Sequence, residues 1–172
     1  METLASERLM LRMFRESDVD AYAEMCGDAE VMRYIGDGHT LSRDEAWRNM
    51  ALIIGHWQLR GFGPWAVEER RSGRLVGRVG CWQPEGWPGL ELSWALGRSF
   101  WGKGYATEAA LHALDFAFNR LGRERVISLI KSENSGSVAV ALRLGMRFEC
   151  ATDVMGQRVL MYVLNGRRRV QS

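Results

Sequence analysis

The chain has 172 residues, 47% of them hydrophobic, and its 23 basic and 21 acidic side chains leave a net charge of +2. This is enough for one domain with a substantial core, expected over residues 1–166, and too near charge balance to point to nucleic acid; Arg167-Arg168-Arg169 marks a basic C-terminal tail at 167–172. No stretch approaches the roughly 18 apolar residues of a membrane span and no apolar signal core opens the chain, so a cytoplasmic protein without a membrane partner is expected.

Alternating Leu9, Leu11 and Met13 predict a first strand, and Glu16-Ser17-Asp18 then opens a helix carrying Val19, Tyr22 and Met25. A shorter helical piece is expected over 29–35. Ser42-Arg43-Asp44-Glu45 reads as a capping box, because the serine hydroxyl can accept the amide three residues on while Glu45 reaches back; its helix should end at Gly61. Residues 65–69, 75–83 and 90–96 predict an antiparallel three-strand meander with turns at 71–73 and 84–89. A helix over 105–121, an apolar strand over 125–130, a helix over 134–144 ended by Gly145, and strands near 147–153 and 158–164 complete a mixed α/β order. Cys26, Cys81 and Cys150 are scattered without ligand-type spacing, so they read as reduced thiols and no metal site is expected.

The run Arg98-Ser99-Phe100-Trp101-Gly102-Lys103-Gly104-Tyr105-Ala106-Thr107-Glu108-Ala109 joins the meander to a long helix through two glycines. Glycines let backbone approach an anion closely, and the first amides of the following helix have no intrahelical acceptor. Two readings compete. Gly97, Gly102 and Lys103 fit the spacing of a nucleotide P-loop, but Gly104 stands where a magnesium-binding Ser or Thr belongs. Trp101-Gly102-Lys103-Gly104-Tyr105-Ala106 instead resembles the Q/R-x-x-G-x-G/A pyrophosphate loop of the GNAT N-acyltransferases, with Trp101 in the Q/R place. W-G-K-G-Y-A-T-E-A is similar in particular to the Rim-type acetyltransferases of ribosomal-protein N-termini.

The order of elements matches that family over nearly the whole chain, which implies the GNAT fold: a mixed, mostly antiparallel central sheet flanked by helices. Asn134-Ser135-Gly136-Ser137, with Gly145 eleven residues after Asn134, resembles the family's N-x-x-S-x(7)-G-F segment, Met146 replacing Phe. By itself Asn134 reads equally as a helix cap. The resemblance implies acetyl-CoA as cofactor, held by the backbone of Trp94, Ala95 and Leu96, by Lys103, Gly104, Tyr105, Ala106 and Thr107 around the pyrophosphate, and by Asn134 and Ser137 along the arm. It also implies a bulge in the strand carrying 94–96, and, through the habit of Rim-type enzymes, raises a homodimer.

The chemistry follows from the amine. An amine of pKa near 10.4 costs about 4.6 kcal/mol to deprotonate at pH 7, whereas an α-amine near 7.8 costs about 1 kcal/mol. The resemblance implies Glu91, on the strand before the loop, as the candidate base, since a carboxylate there faces the acyl end of the cofactor in related enzymes; an exposed strand carboxylate or ion-pair partner is the alternative. The tyrosine that many GNAT enzymes carry seven residues after the Asn is Ala141 here; the resemblance to Rim-type relatives implies Ser137 as the group that protonates the thiolate, with Tyr105 second. His39, His56 and His112 read as packing or surface residues. Trp47, Trp57 and Trp65 read as core, while Trp82 and Trp87 flank a proline turn expected to border an acceptor groove; the resemblance implies 32–36 as its far wall. The expected function is acetyl-CoA-dependent N-acetylation of a primary amine: a protein N-terminus, a polyamine or an aminoglycoside. A non-catalytic acyl-CoA-binding module and a P-loop nucleotide enzyme are the alternatives.

Overall fold

A computed structural model describes residues 2–166, so the basic tail expected at 167–172 lies outside the described residues. One sheet runs through the molecule. After the short β1 (Leu4–Ala5) come β2 (Leu9–Arg12), the meander β3 (Pro64–Glu69), β4 (Leu75–Trp82) and β5 (Glu91–Leu96), then β6 (Arg125–Ile130) and the hairpin β7 (Arg147–Val154) and β8 (Gln157–Asn165). Their spatial order is β1-β2-β3-β4-β5-β6-β8-β7, and every pairing is antiparallel except β5 with β6. That parallel pairing is confined to Glu91 opposite Ile127, whose amide donates to the Leu90 carbonyl at 2.9 Å. Beyond it the two strands part.

Among the described residues, five α-helices clothe the sheet. α1 (Val19–Gly27) follows a single 3-10 turn at Glu16–Asp18, and α2 (Ala29–Met32) and α3 (Arg43–Arg60) come before the meander. α4 (Tyr105–Asp115) lies on the opposite face, where Cys81 Sγ donates to the Ala113 carbonyl, and α5 (Ser135–Arg143) follows β6. The capping box is present: Ser42 accepts from the Glu45 amide, Glu45 accepts from the Ser42 amide at 2.8 Å, and Gly61 ends α3 in the left-handed conformation at φ 75°. The cysteines are unpaired; Cys26 and Cys81 are buried and Cys150 is exposed.

Three local expectations need correction. Trp57 and Trp65 are buried, but Trp47 is 46% exposed. The buried stripe of α3 runs Ala46, Met50, Ile53, Trp57, and Trp47 stands one position, about 100°, off it. The helix expected to run to 121 is α-helical only to Asp115 and continues as a π turn over Phe116–Arg120, which keeps Phe116 against Trp65 at 5.0 Å between ring centroids. Finally, β5 has no bulge against β4, since pairing runs in unbroken register from Gly77↔Leu96 to Trp82↔Glu91. Its backbone becomes available another way, through the departure of β6.

Candidate active site

Where β5 and β6 separate, alternate residues of β5 keep facing the gap. Residues 91, 93, 95 and 97 turn their backbone groups to β4, as the Gly97 amide donating to Val76 illustrates at 2.9 Å. Leu92, Trp94 and Leu96 therefore turn theirs toward the gap. Two of these carbonyls are taken: Ser128 Oγ donates to Leu92 at 2.7 Å and Trp101 Nε1 to Leu96 at 2.8 Å. The carbonyl and amide of Trp94 and the amide of Leu96 remain directed into the space. Two cavities meet there, one of about 1290 Å³ and one of about 620 Å³, sharing Tyr34, Ile35, Trp94, Asn134 and Ser137 in their walls.

The larger cavity lies against the start of α4. Gly104, at φ 79°, caps this helix in the left-handed conformation that favours glycine, with no side chain bonded to the first-turn amides. Asp28, Ser42 and Asn134 supply such a side-chain acceptor to α2, α3 and α5. The uncapped end thus leaves the amides of Tyr105, Ala106 and Thr107 to an anion, beside the partial positive charge of an eleven-residue helix. Gly104, Tyr105, Ala106 and Thr107 line this cavity with Trp94, Ala95 and Leu96. Lys103 does not: it is exposed, its carbonyl accepts from Arg8 Nη1 at 2.9 Å, and its ammonium sits 5.3 Å from the Phe100 ring centre. Tyr105 is a poor proton source, because its hydroxyl donates to Glu69 Oε1 at 2.5 Å.

Asn134 takes the helix-cap role read from the sequence. Its Oδ1 accepts from the Ser137 amide at 3.1 Å, capping α5, while the residue still lines both cavities. Ser137 Oγ accepts from Trp94 Nε1 at 3.2 Å across the gap, which leaves its own hydroxyl proton to donate.

The smaller cavity holds Glu91. The residue is 8% exposed, and Oε2 accepts from Trp87 Nε1 at 2.7 Å. Burial pushes its carboxyl up to about 7, against the lowering effects of the Trp87 hydrogen bond, the Leu129 amide and the Arg78 charge. Trp82, Trp87, Tyr34, Ile35 and Gly36 wall the same space, so the aromatic turn and the segment between the early helices face each other across it. His56 stands behind Trp82, stacked at 4.4 Å; its Nδ1 lies 2.7 Å from the Phe62 carbonyl and its Nε2 accepts from the Gln83 amide at 3.1 Å, a packing role.

Three residues of these walls were not singled out from the sequence. Ser128 holds the mouth of the gap through Leu92. Arg8 reaches from the β1–β2 turn to Glu108 in the first turn of α4, Nε to Oε2 at 2.7 Å, and lines the larger cavity. Arg78 lines the smaller one, and its signal was available: it is the sole charge in the strand Leu75–Trp82.

This architecture and gap have relatives. The model of the acetyltransferase (GNAT) domain matches residues 8–147, and the chain belongs to that family. It is an acetyltransferase enzyme by that membership. Among curated proteins it is 29% identical over 151 residues to the protein named uncharacterized N-acetyltransferase p20 of Bacillus licheniformis, covering 87% of this chain and 84% of that one. Among solved structures, the acetyltransferase from Agrobacterium tumefaciens is 28% identical with a TM-score of 0.86, covering 96% of this chain and 95% of that one. RimL, the ribosomal L7/L12 alpha-N-protein acetyltransferase, solved in complex with coenzyme A, shares the fold at a TM-score of 0.78 and 20% identity, covering 95% of this chain and 98% of that one.

Proposed function

We propose that the protein is an acetyl-CoA-dependent N-acetyltransferase acting on a primary amine by direct attack in a ternary complex. One observation carries this reading: a single gap between β5 and β6 has an uncapped helix start at one end and a buried, elevated carboxylate at the other. The donor set fits the cofactor. Amides at 105–107 suit the pyrophosphate, the open backbone groups of Trp94 and Leu96 suit an amide-containing arm, and Asn134 and Ser137 lie beside it. When bound, acetyl-CoA supplies an activated acetyl thioester whose C–S bond breaks as the N–C bond to the amine forms.

The chain's own groups manage protons and position. Glu91 accepts a proton from the acceptor's ammonium, and a carboxyl near 7 suits work at neutral pH. Trp87 orients the carboxylate. The Trp94 and Leu96 amides donate toward a carbonyl oxygen in the gap, and Ser137 Oγ, held by Trp94, gives a proton to the sulfur. A thiolate of pKa near 8.5 is a tolerable leaving group, so this last donor is expected to matter less than Glu91.

A thermal-shift titration with acetyl-CoA, followed by thiol release over a panel of amines, tests the reading. Acetyl-CoA at 100 times its Kd should add about 2.7 kcal/mol of stability, with thiol released on at least one amine class. Binding without release on any amine would mark a binding module, and no stabilisation would sink the cofactor assignment.

A further inference from the structure

The charges around Glu91 limit what the acceptor can be. Among the described residues Glu91 is the only carboxylate in the wall of the smaller cavity, which also carries Arg78 and Lys131. Arg78 is unusual among the arginines inside the fold. Arg12, by comparison, is held by Asp18 and Glu68 at 2.7 Å each. Arg78 has no carboxylate within ion-pair distance among the described residues, and its Nε is sealed from water with no hydrogen-bond partner. The Tyr22 hydroxyl faces the guanidinium, but no carboxylate among the described residues pairs with it, and an incoming anion would meet that charge.

Its surroundings suit an anion. Arg78 lies opposite Ala95 as Trp82 lies opposite Glu91, so Arg78 and Glu91 share one face of the β4–β5 pair, separated by four residues or about 13 Å of strand. Asn49 lines the same cavity, and its Oδ1 accepts from the buried Tyr22 hydroxyl at 2.7 Å. That bond leaves the Asn49 amide hydrogens to donate into the space. A guanidinium and an amide donor at one end, a carboxylate base at the other and aromatic walls between them describe a receptor for a molecule of mixed charge. A polyamine or an aminoglycoside would bring further positive charge against Arg78 and Lys131 with a single carboxylate to meet it.

We propose, building on the acetyltransferase reading above, that the acceptor is a small molecule carrying, besides its amine, an anionic group of the carboxylate or phosphonate class, received by Arg78 and Asn49 while the amine lies at Glu91. The apolar stretch of Ile53, Trp82 and Leu92 takes the body of such a molecule.

The test compares matched acceptors on the intact protein with acetyl-CoA: an aromatic amino acid with its amine and carboxylate at opposite ends of the ring, 4-(aminomethyl)benzoate, its phosphonate counterpart, its carboxamide, its decarboxylated amine, spermidine and kanamycin. Thiol release is expected to favour the two anionic compounds over the carboxamide and the decarboxylated amine by about 10- to 100-fold in kcat/KM, carried mostly by KM. The acid and the phosphonate distinguish the two anion sources. In Arg78→Gln this preference should collapse toward unity, with partial recovery in Arg78→Lys; Arg43→Gln, which loses only an exposed pair with Asp20, should keep it. The wild-type comparison needs no variant, so a misfolded Arg78→Gln does not shield the proposal. Preference for spermidine, kanamycin, the carboxamide or the decarboxylated amine would overturn it while leaving the acetyltransferase reading intact. Absence of acetyl-CoA binding, or of release on every amine, would remove that reading and this one with it.

Discussion

Glu91 shows how one position can govern both rate and stability. Its carboxyl is held at about 7 chiefly by burial, whereas the unfolded carboxylate titrates near 4.5. Between those values the folded chain keeps a proton that the unfolded chain has released, so this group's contribution is complete below pH 4.5 and is lost as pH rises through 7. The loss is of the order of 3 kcal/mol. In Glu91→Gln the decline in stability from pH 5 to 8 should flatten, as measured by denaturant midpoints. The same variant should lower kcat/KM by roughly 100-fold or more and abolish the limb near pH 7 in its pH profile. Retention of that limb would assign it to another group. Glu91 was legible as a residue type at a place, but its titration depends on Trp87, Arg78 and the closing of the sheet above it. Ser137 was readable likewise, whereas its link to Trp94 joins residues 43 apart in sequence.

At the scale of elements, caps and hydrophobic periods are local, and so the helix bounded by Ser42 and Gly61 and the strand at Arg125–Ile130 agree with expectation. The π turn after α4 and the straight register of β5 do not follow from local pattern, because each depends on what packs opposite, whereas the exposure of Trp47 follows from the period of α3. Gly77 makes this concrete. A Cβ there would lie 2.2 Å from the Ala95 carbonyl oxygen and 2.7 Å from the Leu96 Cα, both backbone atoms of the strand that faces the gap. Gly77→Ala should therefore cost roughly 2–4 kcal/mol and weaken acetyl-CoA binding in the same titration. Gly55→Ala in α3 meets nothing within 4 Å and should stabilise by about 0.5–1 kcal/mol through helix propensity. Equal effects at the two sites would refute the close approach of β4 and β5 at Gly77.

The whole molecule is tied at its first sheet edge by a buried ion network. Arg12 makes a bidentate pair with Asp18 at 2.7 and 2.8 Å and a third bond to Glu68 at 2.7 Å, joining β2, the turn before α1 and β3. Asp18→Ala leaves the buried guanidinium with one carboxylate and removes the acceptor of the Arg15 amide. The expected cost is about 3–5 kcal/mol, or on the order of 10 °C in Tm for a chain of this size. A fall under about 3 °C by calorimetry would show that water compensates the pair.

Fold class, the glycine-opened α4 and the two motif segments could be read from the chain because they rest on short-range rules: alternation, helix period, caps and glycine conformations recur within a few residues. Tertiary structure alone decided the rest. The parting of β5 from β6 after one residue pair, the burial that raises Glu91, the occupation of the Tyr105 hydroxyl by Glu69 and the placing of Arg78 in the Glu91 cavity without an ion-pair partner among the described residues all depend on groups distant in sequence. Charge and hydrogen bonding depend on distance in space, and that distance is set only when the sheet and its helices close around the gap.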